Sequence, residues 1–367
     1  MELVHECSKT GIRATLIRGL GAERLDAEQE LVDAGISLPI WHRVVWAQNL
    51  CRVEPWFLLL RDTNGRACGG LAIEQLRTRA MPWHLNLRVR GFGGNLPIEV
   101  SRVALEALVR VALREPRILR LLVLVFSRHD RDVIAEKARE LGFQRPQRPS
   151  TYRRTLAIDL RPQEEEIFAG LGKNARSQVR ATLKKSLRSV VITDPKYADK
   201  IEELQQEALK KTRGRIAPED WQGVLRVSKE RPDLSQVFGL FLGDETAPEN
   251  MRAFGWVCNH GDRGEYRAAG SSRRGDVRIP FSYLLVWDMI RWAKAMGAVW
   301  FDLGGVVLDG TDGSALQGIS EFKRYFSHNL IEVGEEWVFE PSPIRARVAD
   351  KVSDGAEQVR SWFKKEN

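Results

Sequence analysis

The feature that most constrains the fold is a short apolar run between two helical segments in the last quarter of the chain. Residues 298–305 have the sequence Ala-Val-Trp-Phe-Asp-Leu-Gly-Gly, which predicts a buried strand leading into a functional loop. Before this run, apolar residues recur at helical spacing from Phe281, and Gly297 supplies a left-handed helix stop. After it, residues 318–326 predict a second helix. The segment therefore predicts an α/β module with a polar pocket at the end of the strand.

The same order of elements occurs in the first half of the chain. Pro97 and Pro280 lie 183 residues apart, and each precedes a predicted helix, because the fixed φ of proline suits a first helical turn. At the same offset, Ile118 corresponds to Phe301 in an apolar strand. Identity between the halves is slight, so the pattern predicts a duplicated architecture rather than a repeat array.

These elements predict a mixed α/β (α+β) protein of two similar domains. A chain of 367 residues has the length for two hydrophobic cores. We expect mixed sheets flanked by helices, with a cleft between the domains. The predicted divisions are a first domain, a basic connecting helix, a second domain and a charged C-terminal helical tail, over residues 1–160, 161–190, 191–345 and 346–367.

Composition narrows the functional class. The net charge of +8 and the isoelectric point near 9.4 favour anionic partners such as nucleic acid, phosphorylated molecules or a membrane surface. No run approaches the ~18 apolar residues of a membrane-spanning helix, and residues 1–7 lack the apolar core of a signal peptide. The four cysteines are scattered without a CxxC pair, which favours free thiols over metal or disulfides. A cytoplasmic protein without a metal site is expected.

Residues 171–188 predict a helix with cations three and four residues apart. These cations are Lys173, Arg176, Arg180, Lys184 and Arg188, and no acid occurs between Ile167 and Thr193. A solvated face is the ordinary explanation for such a run of charge. The lack of acidic partners at i,i+4 spacing favours the alternative, a surface that binds phosphate or an RNA backbone.

Several segments together resemble the Fem-type aminoacyltransferases, which are tandem-GNAT enzymes that build peptidoglycan cross-bridges from aminoacyl-tRNA. The resemblance extends from about Trp41 to Pro341. Asn95 stands where family members often carry an acid, and residues 199–232 are too short for the coiled-coil arm of some members. The segments that carry the resemblance are residues 156–160, Lys173-x-x-Arg176-x-x-x-Arg180, 211–215, 270–272, 280–287, 300–305 and 321–326.

The resemblance implies two tandem GNAT-like domains and a transfer without a cofactor. The donor would be aminoacyl-tRNA, and the acceptor a nucleotide- or lipid-linked muropeptide-like amine, with association at a membrane surface as a further implication. Lys323 matches the family's Phe-Lys motif and would stabilise the oxyanion. Phosphate would be held by Lys173, Arg176, Arg180, Arg213, Arg273 and Arg274. The pocket would contain Tyr283, Asp302, Gly304, Gly305 and Phe322.

Other side chains limit the chemistry. The sequence contains no GxSxG or HExxH motif, and no motif supports a Cys/His pair, so direct aminolysis without a covalent intermediate is expected. A surface lysine on an amphipathic helix is the alternative for Lys323. Asp302 lies in mid-strand, where it should pair with a cation or cap a loop. His260 is expected in a turn that faces solvent.

Two other functions remain open. Residues Arg88, Gly91 and Gly93 fit the RxxGxG phosphate loop of acyl-CoA-dependent GNAT enzymes and precede a predicted helix. This match supports an acyl-CoA N-acyltransferase as the alternative, with acyl-CoA as co-substrate. The third possibility is a non-catalytic tRNA- or RNA-binding protein that has kept the fold and the charge.

Overall fold

The computed structural model describes residues 1–78, 81–147, 149–185, 187–212, 219–272, 281–307 and 316–352. The chain forms two compact units. The first comprises Met1–Thr151 and the segment that begins at Val333, and the second comprises Tyr152–Glu332. Each unit contains a seven-stranded sheet with parallel and antiparallel pairs, so the predicted mixed α/β class with two sheets and flanking helices is confirmed.

The first unit has strand order β1-β2-β3-β4-β5-β6-β14. The pair β5–β6 is parallel and the other pairs are antiparallel. Its strands are β1 (Glu2–Glu6), β2 (Arg13–Ile17), β3 (Trp56–Arg61), β4 (Ala67–Arg77), β5 (Leu85–Phe92), β6 (Ile118–Phe126) and β14 (Gly334–Phe339). Its helices are α1 (Ala22–Asp33), α2 (Val44–Leu50), α3 (Ile98–Arg114), α4 (Arg131–Glu140) and α11 (residues 343–352).

Helix α3 provides much of the core of the first unit. Val100, Ala104, Leu108 and Val111, which the sequence predicts on one face, are all buried. A Cβ atom at Gly69 in β4 would lie 2.8 Å from the side chain of Val100. The glycine therefore lets the helix approach the sheet closely, and burial of the apolar face stabilises the pair.

The second unit has strand order β13-β7-β12-β11-β10-β9-β8. The pair β11–β12 is parallel and the other pairs are antiparallel. Its strands are β7 (Arg154–Asp159), β8 (Leu187–Val191), β9 (Ser235–Leu242), β10 (Met251–Asn259), β11 (Arg263–Ser271), β12 (Trp300–Gly305) and β13 (Leu330–Glu332). Its helices are α5 (Glu164–Gly170), α6 (Lys173–Leu183), α7 (Ala198–Thr212), α8 (Trp221–Glu230), α9 (Phe281–Ala295) and α10 (Leu316–Arg324).

Helix α9 and the turn after it agree closely with the sequence pattern. Leu285 and Met289 are buried, and a Cβ atom at Gly255 in β10 would lie 3.0 Å from the Met289 side chain. Gly297 has a φ of +84° and donates a hydrogen bond to the Lys294 carbonyl, which confirms the predicted stop. Met296, predicted on the buried face, is 36% exposed because it follows the last helical residue.

Two strands lie on the other side of the predicted domain limits. The sequence places residues 154–159 in the first domain, whereas β7 pairs with β12 and β13 in the second sheet. It places residues 334–339 in the second domain, whereas β14 pairs with β6 in the first sheet. Membership of a sheet is set by backbone pairing rather than by nearness in sequence. The limits therefore lie near Thr151 and Val333.

The predicted connecting helix over residues 161–190 is wrong as a single element. The segment contains α5 and α6, separated by extended backbone at Leu171 and Gly172, and then the start of β8. Strand β8 pairs with β9, so Arg188 belongs to the sheet and not to the helical stripe of cations. Lys184 caps the end of α6.

Candidate active site

The candidate site lies where the parallel strands β11 and β12 stop pairing. Their ladder ends at the pair Glu265–Asp302, although β11 continues to Ser271 and β12 to Gly305. On its other side, β11 remains paired with β10 as far as Ser271. Parallel strands that separate leave main-chain N–H and C=O groups between them that a ligand can bind. This opening is at the strand end where the sequence predicts a pocket.

Two glycines shape the end of β12. Gly304 has a φ of +76°, which side-chain-bearing residues rarely adopt. A Cβ atom at Gly304 would lie 3.2 Å from the Nζ atom of Lys323, and a Cβ atom at Gly305 would lie 2.6 Å from the Cβ atom of Tyr152. Both positions therefore require a residue without a side chain, one for its backbone conformation and the other for its close neighbour.

Lys323 on α10 reaches this glycine turn. Its side chain is buried, and its Nζ atom donates a hydrogen bond of 2.7 Å to the Gly305 carbonyl oxygen. Burial lowers the pKa of Lys323 from 10.5 to about 8, against the carboxylates of Asp302 and Glu265, which raise it. At pH 7 the ammonium form is still in roughly tenfold excess. The structure thus places Lys323 in the predicted pocket, and the alternative of a surface lysine is wrong.

Asp302 is fully buried in β12, and both of its carboxylate oxygens accept hydrogen bonds. It accepts hydrogen bonds from the Tyr152 hydroxyl at 2.8 Å, from the Thr155 hydroxyl and from the Gly304 N–H at 2.7 Å. The Arg263 guanidinium donates to it at 2.9 Å. The prediction was that Asp302 pairs with a cation or caps a loop, and the carboxylate does both, so it holds the turn that carries the Gly305 carbonyl.

A buried hydrogen bond between His260 and Glu265 continues this network along β11. The His260 ring lies 2.7 Å from the Glu265 carboxylate. Burial lowers the pKa of His260 to about 4, so the ring is neutral at pH 7 and donates to Glu265. Although burial opposes it, the hydrogen bond from His260 and the charge of Arg263 keep the pKa of Glu265 well below its usual range. The network therefore holds a carboxylate charge near Lys323.

The prediction that His260 faces solvent is wrong. His260 is only 1% exposed, because its main-chain N–H bonds to the Arg263 carbonyl and turns the residue back onto β11.

Aromatic side chains join α9 to the segment that carries Lys323. The Tyr283 ring on α9 stacks on Phe326 at a centroid distance of 5.6 Å and meets Phe322 edge to face at 5.1 Å. The Tyr283 hydroxyl lies 3.5 Å from the amide nitrogen of Asn174 on α6. Two predicted pocket residues, Tyr283 and Phe322, are thus in contact, and they connect α10 to the basic helix.

The first turn of the basic helix α6 lies directly against the end of α10. The Gly172 N–H donates a 2.9 Å hydrogen bond to the Tyr325 carbonyl, and a Cβ atom at Gly172 would lie 2.5 Å from that oxygen. The Lys173 side chain is exposed at this helix start. A helix N-terminus with an adjacent lysine favours an anion.

The other two predicted cations of α6 differ from each other. Arg176 donates to the Leu171 carbonyl at 3.0 Å and to the Ala169 carbonyl, so it binds the last turn of α5. Arg180 is exposed, and its guanidinium lies 5.2 Å from the centroid of the Phe168 ring. Lys173 and Arg180 therefore present charge at the surface, whereas Arg176 holds backbone carbonyls.

Three predicted phosphate ligands, Arg213, Arg273 and Arg274, lie outside the described residues, and their assignment stays a prediction.

The glycine loop of the first unit has a structural explanation. Arg88 and Arg90 both bind the buried carboxylate of Glu74, at 2.6 and 3.0 Å. Gly91 and Gly93 have φ values of +59° and +83°. A Cβ atom at Gly93 would also lie 2.4 Å from the Ile134 side chain. The two arginines balance a buried charge and the glycines permit the turn, which accounts for the RxxGxG match without a phosphate ligand.

The described part of the chain contains no candidate metal site and no candidate membrane-spanning helix. Its His, Cys, Asp and Glu side chains form no group of three that could hold a metal ion. None of its helices is both long enough and apolar enough to cross a membrane.

The partners of Asp302 and Lys323 were not predicted from the sequence. Arg263, Glu265 and Arg267 alternate along β11, which places three charges on one face of a central strand. That alternation was a signal for a buried network, because central strands rarely carry unpaired charges. Tyr152 and Thr155 gave no comparable signal, since they join the site only through the pairing of β7 with β12.

Comparisons with known proteins bear on the fold. No protein-family profile matches the chain, and no curated protein sequence matches it. Among solved structures, FemX is similar over 91% of this chain and 100% of its own, with a TM-score of 0.71 and 13% identity. L-PGS from Bacillus licheniformis is similar over 91% of this chain and 98% of its own, with a TM-score of 0.54 and 12% identity.

The C-terminal domain of a putative lysylphosphatidylglycerol synthetase from Agrobacterium fabrum is similar over 90% of this chain and 96% of its own. Its TM-score is 0.50 and its identity is 11%. The chain therefore has a fold similar to that of FemX along nearly its whole length.

Proposed function

We propose that this protein is an N-acyltransferase that moves an aminoacyl group from aminoacyl-tRNA to an amine of a phosphorylated acceptor. The observation that carries the proposal is the buried ammonium of Lys323 beside the Gly305 carbonyl, where β11 and β12 separate. The Fem-type resemblance supports the same class of reaction. One protein of similar fold is named as a putative lysylphosphatidylglycerol synthetase, and that name describes a product in which lysine is attached to a phospholipid.

The reaction proceeds by direct aminolysis. The neutral acceptor nitrogen forms a bond to the acyl carbon and loses a proton, the ester bond to the ribose oxygen breaks, and that oxygen leaves with the proton as a hydroxyl group. In between, the acyl oxygen carries negative charge, and the Lys323 ammonium donates to it. An activated ester needs no covalent intermediate, and holding the two substrates together contributes ~7–11 kcal/mol. One oxyanion donor contributes ~3–4 kcal/mol.

The surroundings of Lys323 suit this role. An ammonium has three N–H donors, and within the described residues Gly305 accepts the one hydrogen bond of Nζ. Burial makes a new charge–charge interaction stronger than it would be in water. The carboxylates of Asp302 and Glu265 keep the lysine protonated at neutral pH, despite its burial.

The exposed face of α6, from Lys173 in its first turn to Arg180 in its last, is the proposed phosphate site. Lys173 and Arg180 supply exposed positive charge, and the Gly172–Tyr325 hydrogen bond ties this helix to α10, which carries Lys323. An acceptor phosphate at α6 would therefore be bound to the same rigid pair of helices as the oxyanion donor. A nucleotide- or lipid-linked muropeptide-like molecule has both the phosphate and the amine that this arrangement requires.

The second candidate is an acyl-CoA-dependent N-acyltransferase. The separation of β11 from β12 supports this candidate and the first one equally, because an acyl group can bind there whether its carrier is tRNA or CoA. The pairing of Arg88 and Arg90 with Glu74 opposes a pyrophosphate site at the first-unit loop. A non-catalytic RNA-binding protein is the third candidate, and the buried network around Lys323 opposes it, since binding of RNA needs no buried lysine.

The test is a transfer assay with labelled aminoacyl-tRNA or acetyl-CoA and a set of amine acceptors with and without phosphate. We expect label on a phosphorylated acceptor from aminoacyl-tRNA alone, with loss of transfer in Lys323→Met. Transfer from acetyl-CoA alone would establish the second candidate. Binding of tRNA without transfer to any acceptor, unchanged in Lys323→Met, would establish the third.

A further inference from the structure

Helix α11 carries an apolar stripe that the first unit does not cover. Ile344, Val348 and Val352 are 75%, 48% and 45% exposed. They occur four residues apart, so they follow one another along one side of the helix. Exposed apolar residues are common singly, but a regular row of them on one helix face marks an interaction surface.

The opposite side of α11 is fixed to the first unit. Ala346 and Ala349 are buried. The Arg120 guanidinium on β6 donates to Asp350 at 2.7 Å and to the Ala346 carbonyl at 3.4 Å. The hydrogen bond that Arg120 donates to Asp350 raises the pKa of Arg120. The buried side of α11 therefore packs on the first unit, and its apolar stripe faces outward.

Cations border the stripe. Arg347 and Lys351 are exposed and occupy the helix positions next to Ile344 and Val348. The acid of α11, Asp350, is paired with Arg120. Asp350 is the one carboxylate of residues 343–352, and Arg120 neutralises it, so the exposed side of the helix combines apolar side chains with unbalanced positive charge.

We propose that α11 docks this protein on the surface of an anionic lipid bilayer. A helix that lies in the interface buries a narrow apolar stripe at the acyl boundary, while lysine and arginine at its border reach the phosphate headgroups. Arg347 and Lys351 lie beside the stripe, so they can reach phosphate headgroups while Ile344 and Val348 contact the acyl boundary. The net charge of +8 on the chain adds long-range attraction to the same surface.

The test is co-sedimentation of the full-length protein with vesicles of phosphatidylglycerol mixed with phosphatidylcholine, and with vesicles of phosphatidylcholine alone. We expect binding to the anionic vesicles that weakens with salt, and little binding to the neutral ones. Ile344→Asp with Val348→Asp should abolish it. Arg347→Glu with Lys351→Glu should weaken it by at least about fivefold per cation replaced.

Matched controls lie elsewhere on the first unit. Leu113→Asp changes an equally exposed apolar residue on α3, and Arg52→Glu with Arg77→Glu removes the same number of exposed cations. Leu113→Asp should bind anionic vesicles as the unchanged protein does, and Arg52→Glu with Arg77→Glu should bind more strongly than Arg347→Glu with Lys351→Glu, because it lowers only the net charge. Thermal unfolding of every variant establishes that it is folded, and vesicle binding is measured without substrate, so it is independent of the acyl-transfer proposal.

Three results would overturn docking by α11. The first is that the unchanged protein binds neither kind of vesicle. The second is that Ile344→Asp with Val348→Asp, and Arg347→Glu with Lys351→Glu, bind as their control variants do. The third is that the protein is a dimer by light scattering and Ile344→Asp converts it to a monomer, in which case a second copy covers the stripe.

Discussion

The Lys323 ammonium donates a hydrogen bond to the carbonyl oxygen of Gly305, at a distance of 2.7 Å. That carbonyl ends a strand whose turn is held by Asp302 through the Gly304 N–H and packed against Tyr152. The lysine is therefore positioned by packing and hydrogen bonds that exist before any substrate binds. Preorganised donors of this kind cost little reorganisation during a reaction.

Replacement of Lys323 by Met tests its proposed role. We expect kcat and kcat/KM to fall together by about 10²–10³-fold, because the lost interaction forms only as charge develops on the acyl oxygen. Met retains most of the side-chain volume, so a packing defect would not explain the loss of rate, and thermal unfolding establishes that the variant is folded. Lys229→Met, at an exposed lysine of α8, is the matched control and should leave kinetics unchanged. A normal kcat in Lys323→Met would exclude the lysine from the chemistry.

The pH dependence of the rate gives an independent test of the same residue. The pKa of Lys323 is lowered to about 8, so its charged form, and with it the oxyanion donor, is lost as pH rises through that value. We expect kcat to decline above about pH 8. Lys323→Arg should show a lower kcat without that decline, since a guanidinium stays protonated. An identical alkaline decline in the Arg variant would assign it to another group.

Gly305 should not tolerate a side chain. In Gly305→Ala the new Cβ atom would lie 2.6 Å from Tyr152, so either the strand end or the ring must move, at a cost of ~1–3 kcal/mol. We expect a lower thermal midpoint and a reduced kcat, because the carbonyl that positions Lys323 shifts. Gly318→Ala on α10 is the control. No atom lies within 4 Å of its added methyl group, and it should stabilise the protein by ~0.5–1 kcal/mol.

Asp302→Asn should affect both stability and the pH profile. The variant removes the carboxylate charge that the Arg263 guanidinium binds at 2.9 Å, so a buried cation loses part of its compensation and the free energy of unfolding should fall. Because the Asp302 charge raises the pKa of Lys323, its removal should also move the alkaline decline of kcat to lower pH. Asp159→Asn, at an exposed acid of β7, should change neither quantity. A destabilised variant with an unmoved pH profile would separate Asp302 from Lys323.

The elements that local pattern specifies were predictable from the sequence. The apolar period of α3 and α9, the stop at Gly297 and the glycine end of β12 each depend on neighbouring residues alone. The arrival of Lys323 at that strand end was predicted from the motif on α10. Local pattern therefore located the centre of the candidate site.

Features that depend on distant pairing were not predictable. β7 and β14 have ordinary strand sequences, and nothing in them specifies the sheet that each one joins. Tyr152 reaches Asp302 only through that pairing. The orientation of Arg176 toward the carbonyls of α5 depended on a break at Leu171 and Gly172 that a continuous helical pattern conceals.

The cations of α6 provide the last prediction. Lys173→Gln with Arg180→Gln removes two exposed charges from the proposed phosphate site, and we expect a higher KM for the acceptor with a weaker salt dependence. Stability should barely change, because exposed charges contribute little to it. Arg176→Gln should show the reverse, a lower thermal midpoint with nearly unchanged KM, since its guanidinium holds the carbonyls of Ala169 and Leu171. Steady-state kinetics at two salt concentrations and thermal unfolding measure both effects.

If KM rises only in Arg176→Gln, phosphate binds at that residue instead. If no variant changes KM, the charged face of α6 is simply solvated.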